Sequence, residues 1–314
     1  ERVAIDKPLR IRRQPRISDL VRSRLRDWNE ANVESLQAVD RNVRDTVGLL
    51  ESVGELDNTL VVFTSDNGYL LGQHRWRGKT LGYEGSLRIP VLMRGPGVPQ
   101  GQVVEDTVSL VDIAATFADV AGAVPLLPLD GLSLVDVAQG VRPGYDALAI
   151  EAGPAYPDVP VDQYMYRGVR TARYTYMEHP VTGELELYDR ELDPHQLVNV
   201  AYRPTHAATL AALQGMFAPL VTCGGPTCHQ VTGVVPEPLP AQGPVHPDEL
   251  GRLQGARQVV TVTASRWTAT RGTAVAGQRR GRTWRAVRGP VKVSLGAEGV
   301  SPALRRPLGT TPAG

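Results

Sequence analysis

Apolar residues along this chain recur with two different periods. Between Val33 and Val53, Leu36, Val39, Val43, Val47 and Leu50 follow one another at three or four residues. That spacing builds one apolar face of a helix, and Gly54 is a natural stop. Thr59 to Thr64 reads Thr-Leu-Val-Val-Phe-Thr, a short run rich in β-branched residues. Bounded by turn signals, it predicts a buried strand of a parallel sheet. Ile89 to Met93 predicts a second buried strand, closed by Gly95-Pro96-Gly97. Leu110 to Val120 returns to helical spacing and ends near Gly122. The order helix, strand, loop, strand, helix predicts an α/β fold with a mainly parallel, incomplete sheet flanked by helices.

The texture changes after Gly144. Ala147 to Glu151, Tyr164 to Arg170, Arg173 to Glu178 and Glu184 to Tyr188 read as short strands. Pro180-Val181-Thr182-Gly183 reads as the hairpin turn between the last two. These strands predict a small antiparallel sheet, and the Ala- and Leu-rich Thr205 to Phe217 predicts a terminal helix. Residues 1 to 30 are Arg-rich, hold Pro8 and Pro15, lack a period and are expected to form an irregular connection. From Val231 onward Pro, Gly, Arg and Thr dominate, and little fixed structure is expected. The expected organisation is an α/β part over 1–145, an antiparallel subdomain over 146–229 and an irregular tail over 230–314.

Composition narrows the possible functions. The net charge of +1 over 314 residues argues against a specific nucleic-acid binder. The segment from Val231 holds 12 Arg plus Lys against 4 Asp plus Glu, an excess that an irregular tail also shows. No long apolar run is present, so no membrane span is expected. The opening Glu-Arg-Val-Ala-Ile is neither an initiator Met nor a signal peptide, and it is expected to continue a longer protein. Cys223 and Cys228 enclose Gly-Gly-Pro-Thr, which suits a local disulfide and an oxidising compartment. A zinc site would need more ligands than the adjacent His229. Lysine is scarce: only Lys7, Lys79 and Lys292 occur among 34 basic residues. A compact ammonium inside a motif is therefore notable, because Arg does not replace it in a tight site.

Chemistry concentrates in one stretch. Ser65-Asp66-Asn67-Gly68 lies at the carboxyl end of the first predicted strand, where open α/β sheets bind ligands. Asp66 and Asn67 offer a carboxylate and an amide oxygen, donors for a hard cation such as Ca²⁺ or Mg²⁺. Two donors do not complete a site that takes six to eight. Taken alone, Asp-Asn-Gly is a turn, His74 a surface or hydrogen-bonded histidine and Lys79 a solvated charge. Glu151, His179 and His195 are read as structural.

The surrounding sequence resembles the sulfatase family. Leu56 to Gly68 (Leu-Asp-Asn-Thr-Leu-Val-Val-Phe-Thr-Ser-Asp-Asn-Gly) is similar to its late metal-binding strand. Gly78 to Pro90, with Lys79, Tyr83-Glu84 and Arg88-Ile89-Pro90, is similar to its following segment. Leu36 to Asp40, Val108 to Thr116, Glu186 to Asp189, Asp193-Pro194 and Asn199 extend the match over about two thirds of the chain in the family's order. The resemblance implies a sulfuric ester hydrolase of the alkaline-phosphatase superfamily. It implies that Asp66 and Asn67 ligate Ca²⁺ and that Lys79 contacts sulfate. His74, between them, could contact sulfate or protonate the leaving alkoxide. The substrate implied is a sulfated small molecule or glycan, and the compartment extracellular, periplasmic or cell-envelope associated.

The pattern also breaks. The family makes its formylglycine nucleophile from a Cys or Ser in a Cys/Ser-x-Pro-x-Arg sequence. Neither Cys223 nor Cys228 stands in one, and no Ser-x-Pro-x-Arg occurs. The family's early Asp-Asp metal pair has no counterpart either. The expectation is a truncated sulfatase, inactive alone, with a missing amino-terminal half as a possible partner. Two alternatives stand beside it. One is a degenerate fold that binds an anionic glycan or a protein without catalysis. The other is a phosphodiester or phosphonate hydrolase of the same superfamily.

Overall fold

The computed structural model describes residues 6–154 and 156–239, together with the backbone of three strands between 258 and 294. The chain divides into two compact units, Glu1–Tyr202 with Thr209–Pro236, and Arg203–Ala208 with Glu237–Gly314.

The first unit opens with α1 (Leu9–Arg12) and the long helix α2 (Asp19–Ser52). α2 starts fourteen residues before its predicted face. Ser18 caps it by accepting the Val21 N–H, and Asp19 complements the positive helix end. The irregular connection was expected over residues 1 to 30; among the described residues, 9–12 and 19–30 are helical. Val21, Leu25 and Trp28 already carried helical spacing there, diluted by arginines. No residue of α2 is fully buried, and Leu20, Val33, Leu36 and Leu49 are exposed.

Strand β1 (Val61–Thr64) follows, then a hairpin of β2 (Leu70–Leu71) and β3 (Arg77–Gly78), then α3 (Glu84–Leu87) and β4 (Val91–Arg94). The predicted strands at 59–64 and 89–93 are present, but they pair antiparallel, Val61 with Arg94 and Thr64 with Val91. Among the described residues every strand pairing is antiparallel. The connection explains the correction. A parallel return needs a crossover, usually a helix of a dozen residues or more in all. Residues 65 to 90 instead hold a small hairpin, with a three-residue 3-10 turn in its loop, and one four-residue α-helix.

α4 (Asp112–Val120) and α5 (Leu134–Ala138) follow and are tied by Asp112. Its fully buried carboxylate accepts the Ser109 and Leu132 N–H groups and the Tyr145 hydroxyl, at 2.6, 2.8 and 2.6 Å. This satisfies a charge that would otherwise be costly to bury.

A four-stranded antiparallel sheet completes the unit, in the order β5 (Leu148–Ala152), β6 (Tyr166–Arg170), β7 (Tyr174–His179), β8 (Glu184–Asp189). Both faces are covered. Val169, Tyr176 and Leu187 on one face meet Leu213, Met216 and Phe217 of α6 (Ala207–Leu220). Tyr166, Met177 and Tyr188 on the other meet Ile11, Leu70, Leu81 and Tyr83. Gly183 closes the β7–β8 hairpin in the left-handed region at φ 70°, and its N–H bonds to His179 O. Cys223 and Cys228 are joined in a disulfide.

The second unit contains β9 (Gln258–Thr263), β10 (Arg271–Arg280) and β11 (Thr283–Ser294), paired antiparallel with β10 central. An irregular tail was expected here. β-Branched residues, with Val259, Val260 and Val262 in β9 and Val291 and Val293 in β11, suit strands despite the Arg and Gly around them. No helix among the described residues is long and apolar enough to cross a membrane.

Candidate functional site

The end of β1 delivers Ser65-Asp66-Asn67-Gly68 to the surface. Ser65 Oγ donates to the Asn67 carbonyl at 3.0 Å, which folds the segment into a tight turn. Gly68 then passes against the backbone of residues 85 and 86. Its N–H bonds to Ser86 O at 2.9 Å, and a Cβ here would lie 2.3 Å from Gly85 O. The glycine is therefore required by close approach and not by a turn alone.

The β2–β3 hairpin brings Lys79 back to this turn. Leu70 pairs with Gly78. One step further along that register sets Lys79 across from Tyr69, two residues from Asn67. The Lys79 ammonium donates to Asn67 Oδ1 at 3.0 Å and lies 3.8 Å from Asp66 Oδ2. Thr80 follows with φ 74° and shares a hydrogen bond with the Tyr156 hydroxyl at 2.9 Å. The Lys79 and Asp66 side chains are 53% and 80% exposed, so water screens their attraction. Three of the four residues singled out in the sequence thus meet at one surface point.

His74 lies in a different environment. It is buried, adopts φ 52°, and stacks on the Tyr83 ring with centroids 3.8 Å apart. Burial, reinforced by the Lys7 charge, lowers its pKa to about 3. It is neutral at physiological pH.

Beside it lies a buried polar group that the sequence did not announce. Glu186 Oε2 accepts the Tyr83 hydroxyl at 2.8 Å and also the Tyr188 hydroxyl, while Oε1 faces His179 Nε2 at 2.8 Å. Lys7 Nζ donates to the Tyr188 hydroxyl at 2.8 Å and to the Gln196 carbonyl, and it lies over the Tyr188 ring. Burial pushes the Glu186 carboxyl up, but the bonds and charges of His179, with Lys7 and Tyr188, outweigh it and hold its pKa below the usual value. Next door, Glu84 takes a two-pronged bond from Arg170 at 2.8 and 3.1 Å, with Arg190 at 3.4 Å. Tyr83 and Glu84 therefore bolt the segment after Lys79 onto the antiparallel sheet. The scarcity of lysine would have marked Lys7 as well as Lys79.

Asp66 and Asn67 fit a hard divalent cation as a partial ligand pair. Asn67 Nδ2 donates to Gly68 O at 2.9 Å, which turns the amide oxygen toward the ammonium. Among the described residues no group of three His, Cys, Asp or Glu could hold a metal. Neither cysteine is free to become a formylglycine, since the two are bonded to each other.

The profile of the sulfatase family matches residues 29–123, which include Asp66, Asn67 and Lys79. This part of the chain is similar to the sulfatase family. Among sulfatase relatives, the chain is 32% identical over 174 residues to an N-acetylglucosamine-6-O-sulfatase of Bacteroides thetaiotaomicron, covering 54% of the chain and 31% of that protein. It is 30% identical to a protein solved in complex with its substrate D-glucosamine-2-N,6-O-disulfate, with a TM-score of 0.50 over 58% of the chain and 38% of that structure. It is 31% identical to a phosphonate monoester hydrolase of Agrobacterium radiobacter, with a TM-score of 0.51 over 56% of the chain and 38% of that structure. The chain thus spans about a third of the length of these three proteins.

Proposed function

We propose that this chain carries the late metal- and sulfate-binding part of a sulfuric ester hydrolase acting on sulfate monoesters of a small molecule or glycan. The convergence of the Lys79 ammonium on Asn67 Oδ1 and Asp66 Oδ2 carries this reading. Cleaving a sulfate ester puts negative charge on the sulfuryl and leaving oxygens, and a fixed ammonium stabilises it where it develops. Asp66 and Asn67 would hold the Ca²⁺, or Mg²⁺, which supplies a Lewis acid when bound. Lys79, whose ammonium already lies at this point, would place its charge against the sulfate oxygens. His74, neutral and buried, supports the hairpin in this reading and leaves the anion contact to Lys79. A secreted or cell-envelope location agrees with the Cys223–Cys228 disulfide.

No Cys/Ser-x-Pro-x-Arg sequence occurs in these residues, so the chain alone binds sulfate esters without turning them over. The rest of a sulfatase fold is the partner that would supply the nucleophile, and the exposed apolar residues of α2 suit such a contact. The test is turnover of 4-nitrocatechol sulfate by the purified chain with and without Ca²⁺. None is expected, and turnover that needs Ca²⁺ and vanishes in Lys79→Gln would overturn the inactive-alone reading. The likeness to a phosphonate monoester hydrolase favours a second reading, a phosphonate or phosphodiester substrate. Tighter Ca²⁺-dependent binding of phenylphosphonate than of 4-nitrocatechol sulfate would favour it.

A further inference from the structure

We infer that the groove between the first turns of α2 and the Leu71–Arg75 loop is a second anion-binding site, which takes a multiply sulfated oligosaccharide. It encloses about 610 Å³, within the range of small-ligand sites. Four arginines line it, Arg16, Arg22, Arg26 and Arg75, against a single acid, Glu30. Arg22 and Arg26 stand one helical turn apart and so project on the same side of α2. Among the described residues the side chains of Arg16, Arg22 and Arg26 make no ion pair or hydrogen bond. Arg75 is held at the wall by a bond to the Gln14 carbonyl at 3.3 Å. Three unpaired guanidiniums around one concavity raise its positive potential and offer forked donors to sulfate oxygens.

The floor is apolar. Ile17, Leu25 and Leu71 form it, and Gly72 lets the loop approach, since a Cβ there would lie 3.1 and 3.0 Å from Ile17 and Leu25. Such a floor suits the C–H faces of sugar rings. Single-stranded nucleic acid would instead want exposed aromatic platforms. The groove lining contains none, and the nearby Trp28 ring is already covered by Arg77 at 4.6 Å and met edge-on by Tyr69 at 5.5 Å. The loop that forms one wall is the one that joins Asn67 to Lys79, so a chain with several sulfates could engage both sites. The choice of a sulfated glycan rests on the sulfatase reading; the anion groove does not.

The test measures binding of a fluorescent, fully sulfated heparin-type tetrasaccharide to the full chain in EDTA. Binding that weakens steeply with added salt is expected. The double variant Arg22→Gln/Arg26→Gln should weaken it at least tenfold. These exposed Arg→Gln changes conserve helix propensity, and an unchanged urea midpoint verifies the fold. Parent-like affinity in the double variant, or no binding by the parent, overturns the groove. Tighter, arginine-dependent binding of a single-stranded oligonucleotide overturns the glycan assignment. The sulfatase reading is scored separately: loss of Ca²⁺-dependent 4-nitrocatechol sulfate binding in Lys79→Gln supports it without bearing on the arginines.

Discussion

Replacing Glu84 by Gln removes the carboxylate that Arg170 and Arg190 share. Arg170 approaches it with two nitrogens at 2.8 and 3.1 Å and Arg190 with one at 3.4 Å. The three side chains are only 16%, 18% and 10% exposed. Burial, together with the Arg170 charge, already lowers the Arg190 pKa to about 10. With Gln at 84, two guanidiniums would face each other with that anion gone. Removing one partner of a buried ion pair costs about 3–5 kcal/mol, and residual solvent access here places the expected loss near the lower bound, about 3 kcal/mol. Urea unfolding followed by Tyr and Trp fluorescence would read it as a fall in midpoint at constant slope. Arg170→Gln should also destabilise, and the double variant should recover at least about 1 kcal/mol of the summed losses, since the two groups touch. A loss below about 1 kcal/mol for Glu84→Gln, or strict additivity, would show that the pair does not anchor the segment.

The remaining predictions concern acid, cation, glycine and disulfide. Above pH 6.5 the neutral, buried His74 matches the unfolded state in proton content; as pH falls toward 3 the unfolded chain binds a proton that the fold excludes. Stability is therefore lost over that window, by up to a few kcal/mol for His74 alone, at about 1.36 kcal/mol per unit. Glu186 and Glu84, both depressed, add loss in the same direction below their ordinary range, so thermal melts at pH 7, 5.5 and 4.5 should fall monotonically. Calorimetric titration should find Ca²⁺ binding weaker than about 1 mM, because Asp66 and Asn67 supply few of its ligands; micromolar affinity would refute the partial-pair reading. Gly168→Ala should destabilise by about 1–3 kcal/mol or more in urea, since its Cβ would lie 2.0 Å from Tyr176 O. Reduction of Cys223–Cys228, which spans five residues, should lower stability by about 2 kcal/mol at most and leave the fold intact by circular dichroism.

How far the sequence foretold this structure depended on the range of the interactions involved. The β5–β8 strands, the Gly183 turn and α6 were legible within a few residues, because alternation, turn chemistry and helix propensity are local. The strand at 61–64 was legible, but its direction relative to β4 was not. Direction is set by the connection, and its two-residue strands β2 and β3 are too short to show a period. The meeting of Lys79 with Asn67 follows from that same hairpin, so the residues could be named while their contact could not. The Lys7–Tyr188 bond joins residues 181 apart and leaves no local trace. Only the rarity of lysine pointed to it. The start of α2 was different: Ser18-Asp19 and the spacing of Val21, Leu25 and Trp28 were present, and the arginines obscured them.

One short stretch of chain carries two mechanical demands, and the geometry separates them. Lys79 is exposed, with its ammonium on the surface oxygens of Asn67 and Asp66, an arrangement worth little stability. Four and five residues later, Tyr83 and Glu84 are locked into the sheet by Glu186, Arg170 and Arg190, where burial makes each bond count. Under the proposed function, the Lys79 head group must be free to move while its backbone stays fixed. It follows that Lys79→Gln should abolish sulfate contact while leaving the urea midpoint within about 0.5 kcal/mol of the parent, as for surface changes in general. Glu84→Gln should instead lower the midpoint strongly. If Lys79→Gln destabilised the fold as much as Glu84→Gln does, the ammonium would be a structural bolt, and the assignment of Asp66, Asn67 and Lys79 to anion chemistry would lose its physical basis.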